Sequence, residues 1–205
     1  MSGNQLLERL HVSRETLERL EIFESVIRKW NPTINLVSKS SLDQLWTRHI
    51  ADSIQVFRCT SSPQHWVDIG SGGGFPGLIV ALMAVEEAPD MKVTLIESDQ
   101  RKSAFLRNAA RECGVPISVL SKRIEHVDRQ SADVLSARAL ADLSDLLGFA
   151  ERHLAEDGVA LFPKGGSWKK EVDNARQQWR FALETAKSLT EPEAVILKIR
   201  GVERV

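Results

Sequence analysis

The chain has 205 residues, 42% hydrophobic and 27% charged, which suits one α/β domain with a small appendage and a packed core. A formal net charge of -1 argues against a non-specific nucleic-acid coat, which needs a large positive excess, but not against an enzyme with a local basic patch. Two distant cysteines, Cys59 and Cys113, no basic-then-apolar leader and no run of about 18 apolar residues predict a cytoplasmic protein without a disulfide framework or membrane partner.

Ser13 predicts a helix N-cap, after which Leu17, Leu20, Phe23, Ile27 and Trp30 fall on one helical face. Asn31-Pro32 is expected to end that helix, because proline disfavours helical geometry in the residue before it. Ser41-Leu42-Asp43-Gln44 has the form of a capping box. The helix it opens would turn Leu42, Leu45, Trp46, His49, Ile50 and Phe57 inward. Thr60-Ser61-Ser62-Pro63 reads as a linker, dividing an N-terminal helical extension, residues 1–62, from a compact unit, residues 63–205.

From Trp66 short apolar strands alternate with longer helices. The strands are predicted at Trp66 to Ile69, Val93 to Glu97, Ile117 to Leu120, Val134 to Ala137 and Val159 to Pro163. Helices are predicted from about Leu78, Gln100, Leu140 and Trp168. Such alternation indicates a parallel, doubly wound α/β sheet. Phe181 to Leu189 and Val195 to Arg200 predict two last strands, antiparallel because the turn at Glu191-Pro192-Glu193 is short. The first of them could instead extend the preceding helix, since Glu184, Ala186 and Lys187 favour helix.

Asp68-Ile69-Gly70-Ser71-Gly72-Gly73-Gly74-Phe75-Pro76-Gly77 follows the first strand and opens a helix. Glycines there let backbone turn sharply and approach a ligand closely. The spacing Gly72-x-Gly74-x-x-Gly77 also fits the dinucleotide fingerprint. Asp68, two positions before Gly70, separates the readings. The resulting Asp-x-Gly-x-Gly-x-Gly resembles the loop of S-adenosylmethionine-dependent methyltransferases. A carboxylate there suits a cofactor carrying an ammonium and a sulfonium and would repel a pyrophosphate. Glu97 ends the next strand, where an acidic side chain can accept both ribose hydroxyls of an adenosine. The plain alternative is a tight structural turn with Asp68 and Glu97 capping helices, but so many glycines are costly to order unless something must come close. Asp68, Gly70, Gly72 and Glu97 are therefore candidate cofactor contacts.

The same run, with its Phe75-Pro76-Gly77 ending, resembles the RsmG (GidB) family of bacterial 16S rRNA guanine-N7 methyltransferases. Three more segments carry the resemblance: Trp30-Asn31 with Ile34-Asn35-Leu36-Val37-Ser38; Arg48-His49-Ile50-Ala51-Asp52-Ser53; and Ser136-Ala137-Arg138-Ala139 with Phe162-Pro163-Lys164-Gly165. Together they span about Leu17 to the C-terminus. The chain departs from the family at Gly73, often proline, and at Ala51, often larger. The resemblance implies a class I (Rossmann-like) methyltransferase fold preceded by N-terminal helices, with a mostly parallel sheet and an antiparallel last strand. It implies S-adenosylmethionine contacts from Gly70, Phe75, Ile124, Glu125 and Arg138. It also implies 16S rRNA or the small ribosomal subunit as partner. A monomer without a metal is expected.

Guanine N7 carries an in-plane lone pair and no proton, so its methylation needs neither a covalent nucleophile nor a general base. Positioning and electrostatics carry such a reaction, and the target base must leave its stack. Arg48, Arg101, Lys102, Arg123, Arg138 and Lys164 lie near strand ends where ligands bind. Each could equally be a solvated surface charge. Arg138 and Lys164, each ending an apolar strand, stand out as positioning candidates; Arg48, Arg123 and Lys164 are the RNA candidates. His49, Asp52 and Ser53 could cover the pocket, contact RNA, or form a buried structural cluster. Trp30 and Trp46 read as core and Trp168 as a stacking candidate. Open alternatives are a methyltransferase for protein or a small molecule, and a non-catalytic RNA-binding assembly factor. An NAD-dependent oxidoreductase with a Tyr/Lys pair is excluded by the absence of tyrosine.

Overall fold

A computed structural model describes residues 10–61 and 63–205; Ser62 of the expected linker lies outside them. Helix α1 (Arg14–Ile34) starts where Ser13 accepts from the Thr16 amide. It runs on through Pro32, contrary to the expected stop. Pro32 sits in the last turn, so the intrahelical bond its missing N–H forfeits lies at the helix end and few residues follow it. The stop comes instead from Asn35 in the left-handed conformation, φ 49°, and from Asn31. The Asn31 side-chain oxygen accepts from the Leu36 and Val37 amides at 2.8 and 2.9 Å.

The predicted box at Ser41 does not form. Ser38 caps the short helix α2 (Lys39–Leu42), its hydroxyl accepting from the Ser41 amide. A π-helical turn (Trp46–Ile50) then leads into α3 (Ala51–Phe57). Leu45, Ile50 and Phe57 are buried as expected, while Leu42, Trp46 and His49 are partly buried.

The remainder alternates as predicted: β1 (His65–Ile69), α4 (Gly77–Glu87), β2 (Lys92–Ile96), α5 (Gln100–Glu112), β3 (Ser118–Leu120), β4 (Ala132–Ser136), α6 (Leu143–His153), β5 (Leu154–Lys164), α7 (Trp168–Ala175), β6 (Trp179–Lys187) and β7 (Val195–Arg204). Helix α6 begins three residues beyond Leu140, where Asp142 caps it. The segment before Leu189 is a strand, because pairing with β7 outweighs its modest helix propensity.

The strands form one sheet in the order β3-β2-β1-β4-β5-β7-β6. The first five are parallel, and β7 runs antiparallel to both β5 and β6. One core cluster joins Phe23, Ile27, Ile54 and Phe57 of the N-terminal helices to Leu78, Leu82, Phe105 and the Val134 side of the sheet. The other joins α6 and α7 to the opposite face through Leu147, Ala150, Val172 and Phe162. Trp30 packs edge-on against Phe105, and Trp46 donates its indole N–H to Glu24.

Asn31→Ala removes the acceptor for two amides and should cost about 1–3 kcal/mol. A thermal melt should show Tm lowered by several degrees with the fold retained.

Candidate active site

Strand order reverses between β1 and β4, and ligands of open α/β sheets bind at the carboxyl ends of strands at such a point. The register sets Asp68 opposite Ser136. The Ser136 hydroxyl donates to Asp68 Oδ1 at 2.6 Å and accepts from Trp66 Nε1 at 2.9 Å. All three residues are fully buried. Asp68 Oδ2 has no hydrogen-bond partner. Burial pushes this carboxyl up to about 6, against the opposing bond from Ser136. Gly77 makes room for it: a Cβ there would lie 2.6 Å from Asp68 Oδ2 and 2.5 Å from Leu95 Cδ2.

Above Asp68 the loop takes positive φ at Gly70, Gly72 and Gly74, 64°, 48° and 90°, a region side chains disfavour. The Gly70 and Ser71 amides donate to the Ile96 carbonyl. Glu97 Oε2 accepts from the Gly72 amide and Oε1 from the Asp99 amide, both at 2.8 Å. Glu97 therefore ties the loop to the end of β2 while its carboxylate lines the cleft. The Phe75-Pro76 bond is cis.

The cleft beside this loop has a volume of about 390 Å³, and Gly70, Gly72, Glu97, Ile124 and Glu125 all line it. Arg123 lines its rim. Asp68 lies beneath the loop, outside the lining, and Phe75 is 4% exposed and also outside. Lys102, one of the expected basic candidates, also lines it, as do Leu140, Asp145 and Phe149, and nothing in the spacing of these last three announced them. They arrive because the chain folds back over Gly70, where a Cβ would meet Leu140 Cδ1 at 2.5 Å.

A second cavity, about 540 Å³, adjoins the first at Ala139, which lines both. Arg48, His49, Asp52, Arg138, Lys164 and Glu191 face it. Phe75, outside the lining, packs behind two of these side chains: the His49 ring stacks on Phe75 at 4.9 Å and the Arg138 guanidinium lies 4.9 Å from the Phe75 centroid. Burial, then the charges of Arg138 and Arg48, push His49 down to about 3, so its imidazole is neutral at physiological pH. Burial lowers Arg138 to about 10, opposed by Asp52 and Asp68, and it stays charged. Arg138 Nη1 donates to the Arg48 carbonyl at 3.2 Å.

Asp52 faces the cavity and accepts from the Thr190 hydroxyl through Oδ1. Ser53 turns away and donates to the His49 carbonyl at 2.6 Å. Lys164 donates to Glu171 at 2.7 Å and to the Ala141 carbonyl at 3.0 Å, its side chain 12% exposed. It thereby pins the loop that separates the cavities. Arg48 is exposed and lies 3.5 Å from Glu191. Trp168 is partly buried with the Lys169 ammonium 5.6 Å from its ring centroid.

A family model described as rRNA small subunit methyltransferase G matches residues 16–198. The chain is 67% identical to the Ribosomal RNA small subunit methyltransferase G of Ruegeria sp. (strain TM1040), over 96% of each chain. It is 49% identical to the protein of the same name from Cereibacter sphaeroides, over the full length of both. Among solved structures, a TehB-like S-adenosylmethionine-dependent methyltransferase from Corynebacterium glutamicum superposes with a TM-score of 0.59 at 12% identity, covering 87% of this chain and 97% of that one. A ribosomal protein L11 methylase from Lactobacillus delbrueckii subsp. bulgaricus gives 0.57 at 19% identity, covering 74% and 77%. These two likenesses concern the fold alone.

The Asp68 carboxyl titrates near 6 in the folded chain against 3.8 ordinarily. The folded state thus binds more protons between those values, and stability falls as pH rises through them. Below the lower value the group is neutral in both states; above the upper one the penalty is complete, about 3 kcal/mol. In urea melts without ligand, Asp68→Asn should match the wild type near the acid end of that window and exceed its midpoint increasingly towards neutral pH. A pH-independent difference would show that Asp68 is ionised in the folded protein throughout.

Proposed function

This chain belongs to the rRNA small subunit methyltransferase G (GidB) family, and from that premise we propose that its two cavities divide the work, the glycine-lined cleft holding S-adenosylmethionine and its neighbour facing RNA. The protein transfers the methyl group of S-adenosylmethionine to N7 of a guanine in 16S ribosomal RNA. The convergence of Gly70, Gly72, Glu97, Ile124 and Glu125 on one cleft supports the division most. The residues fit the cofactor. Gly72 adds no Cβ to the cleft, Glu97 is a carboxylate at ribose position, and the unpartnered Asp68 oxygen beneath the loop favours a cationic ligand above it.

Bound S-adenosylmethionine supplies a methyl group on a positively charged sulfonium. The N7 lone pair forms the new N–C bond as the C–S pair returns to sulfur, and no proton leaves N7. The chain's residues then need only orient and enclose the reactants. Arg138, spread over Phe75 and tied to the Arg48 backbone, lines the second cavity and not the cofactor cleft. Placed next to the shared Ala139, it serves the substrate side, and a cofactor contact expected of it would be made only across that boundary. Lys164 acts by position, holding Ala141. Arg48 and Arg123, exposed on either cavity's rim, contact RNA phosphates and fix the register of the substrate. Phe75 supports Arg138 and His49 from below.

The partner is small-subunit ribosomal RNA, and we infer a monomer that works in the cytoplasm without a metal. No helix among the described residues is long and apolar enough to cross a membrane. Of the expected extension, residues 1–62, the described helices pack into the core of the 63–205 unit and extend it.

Gly72→Val forces a β-branched side chain into φ 48° and should abolish the heat of S-adenosylmethionine binding in calorimetry while far-ultraviolet circular dichroism is kept. Undiminished binding would remove the loop from the site. Arg138→Ala should lower kcat/KM for tritiated methyl transfer to small ribosomal subunits at least about tenfold, and Arg138→Lys should not restore it, lacking the planar fork. Label appearing on protein rather than RNA would overturn the substrate.

A further inference from the structure

The cavity beyond Ala139 contains a carboxylate that the transfer described above does not use. Asp52 lies in the first turn of α3, partly buried, with Oδ1 held by the hydroxyl of Thr190 from the connection between β6 and β7. Among the described residues it makes no ion pair. None of the three cations facing the same cavity donates a hydrogen bond to Asp52. Arg138, which feels its charge, lies over Phe75 and donates to the Arg48 carbonyl, the Arg48 guanidinium pairs with Glu191, and Lys164 pairs with Glu171. A partly buried carboxylate given one hydroxyl keeps unused lone pairs on both oxygens, which donors from a ligand would fill.

The substrate base has those donors. Guanine carries N1–H and the 2-amino group side by side on one edge, matching two carboxylate oxygens. Adenine and cytosine place an acceptor at the corresponding ring nitrogen, and uracil offers one donor between two carbonyls. N7 lies on the opposite edge, so a base gripped this way keeps its nucleophile free. Only Ala139, a small side chain, is shared between this cavity and the cofactor cleft.

We propose that this cavity receives the flipped-out guanine and that Asp52 selects it by accepting N1–H and the 2-amino hydrogens. The inference rests on the RNA reading above. It also assigns Asp52 a share in rate. As the N7–CH3 bond forms and the C–S bond breaks, positive charge passes from sulfur to the guanine ring, N1–H becomes a stronger donor, and its bond to Asp52 tightens. An interaction stronger in the transition state than in the bound substrate raises kcat.

The test compares small-subunit RNA carrying guanosine at the methylated position, located by mapping the labelled methyl group, with RNA carrying inosine there. Inosine lacks the 2-amino group and keeps N1–H and N7. With full-length wild type, inosine should lower kcat/KM about 10- to 100-fold, the loss of one hydrogen bond to a charged acceptor. In Asp52→Asn activity on guanosine should fall and the inosine penalty shrink to about threefold or less. A residue that merely supports the fold would lower both substrates together and leave the ratio intact. That result, or a wild type that methylates both RNAs equally, overturns the proposal. Should Asp52→Asn lose its thermal transition, Thr190→Val, which releases Asp52 without removing it, carries the same comparison; a wild-type ratio there overturns the proposal and a reduced one supports it. If wild type leaves the guanosine RNA unlabelled, the RNA reading fails rather than the role of Asp52.

Discussion

A carboxylate sealed from water at the reversal of strand order governs the geometry of the whole active edge. Asp68 is held on one side by Ser136, which is in turn held by Trp66, and on the other side lies against Gly77, where a Cβ would collide with it. Burying such a group with an unpartnered oxygen costs stability. That cost is sustained where three things coincide: the register of β1 against β4, the turn into α4, and the loop above. Each depends on the others, since shifting the register by one residue would turn Ser136 to the other face of the sheet.

From that floor the structure extends in two directions. Towards β2, Glu97 grips the Gly72 amide and fixes the loop that lines the smaller cleft. Towards the N-terminal helices, Phe75 leaves the same loop to support His49 and Arg138. The backbone around Leu36 also passes close to Gly73, where an added Cβ would come within 3.2 Å of the Leu36 carbonyl oxygen. The N-terminal segment therefore lies close against the glycine-rich loop.

The two cavities remain distinct because the short stretch from Ala139 to Ala141 stands between them. Ala139 adopts φ 52°, and the neighbouring Ala141 carbonyl is anchored by Lys164, whose charge Glu171 balances. A partly buried, paired lysine of this kind specifies a loop position rather than adding much stability. In the proposed division a methyl group crosses from one cavity to the other, so the placement of this divider bears directly on in-line geometry.

Much of this was legible in the chain itself, for a local reason. The strand-loop-helix unit around Asp68 to Gly77, the acidic end of β2 and the alternation of apolar strands with helices are short-range patterns, repeated within a few residues and dictated by backbone geometry. They were sufficient for the fold, the cofactor class and three of the cleft's lining residues, Gly70, Gly72 and Glu97, while Ile124 and Glu125 came from the family resemblance. The helix running through Pro32 and the cap at Ser38 were misjudged because competing partners, Asn31 and Ser38, satisfied the backbone in ways propensity does not encode. The tertiary structure alone decided that Lys164 pins Ala141, that Leu140 leans on Gly70, and that Asp52 meets Thr190. Those last two residues are separated by 138 positions. Contacts at that range obey no period in the sequence, because they are fixed by how whole elements pack and not by the residues between them.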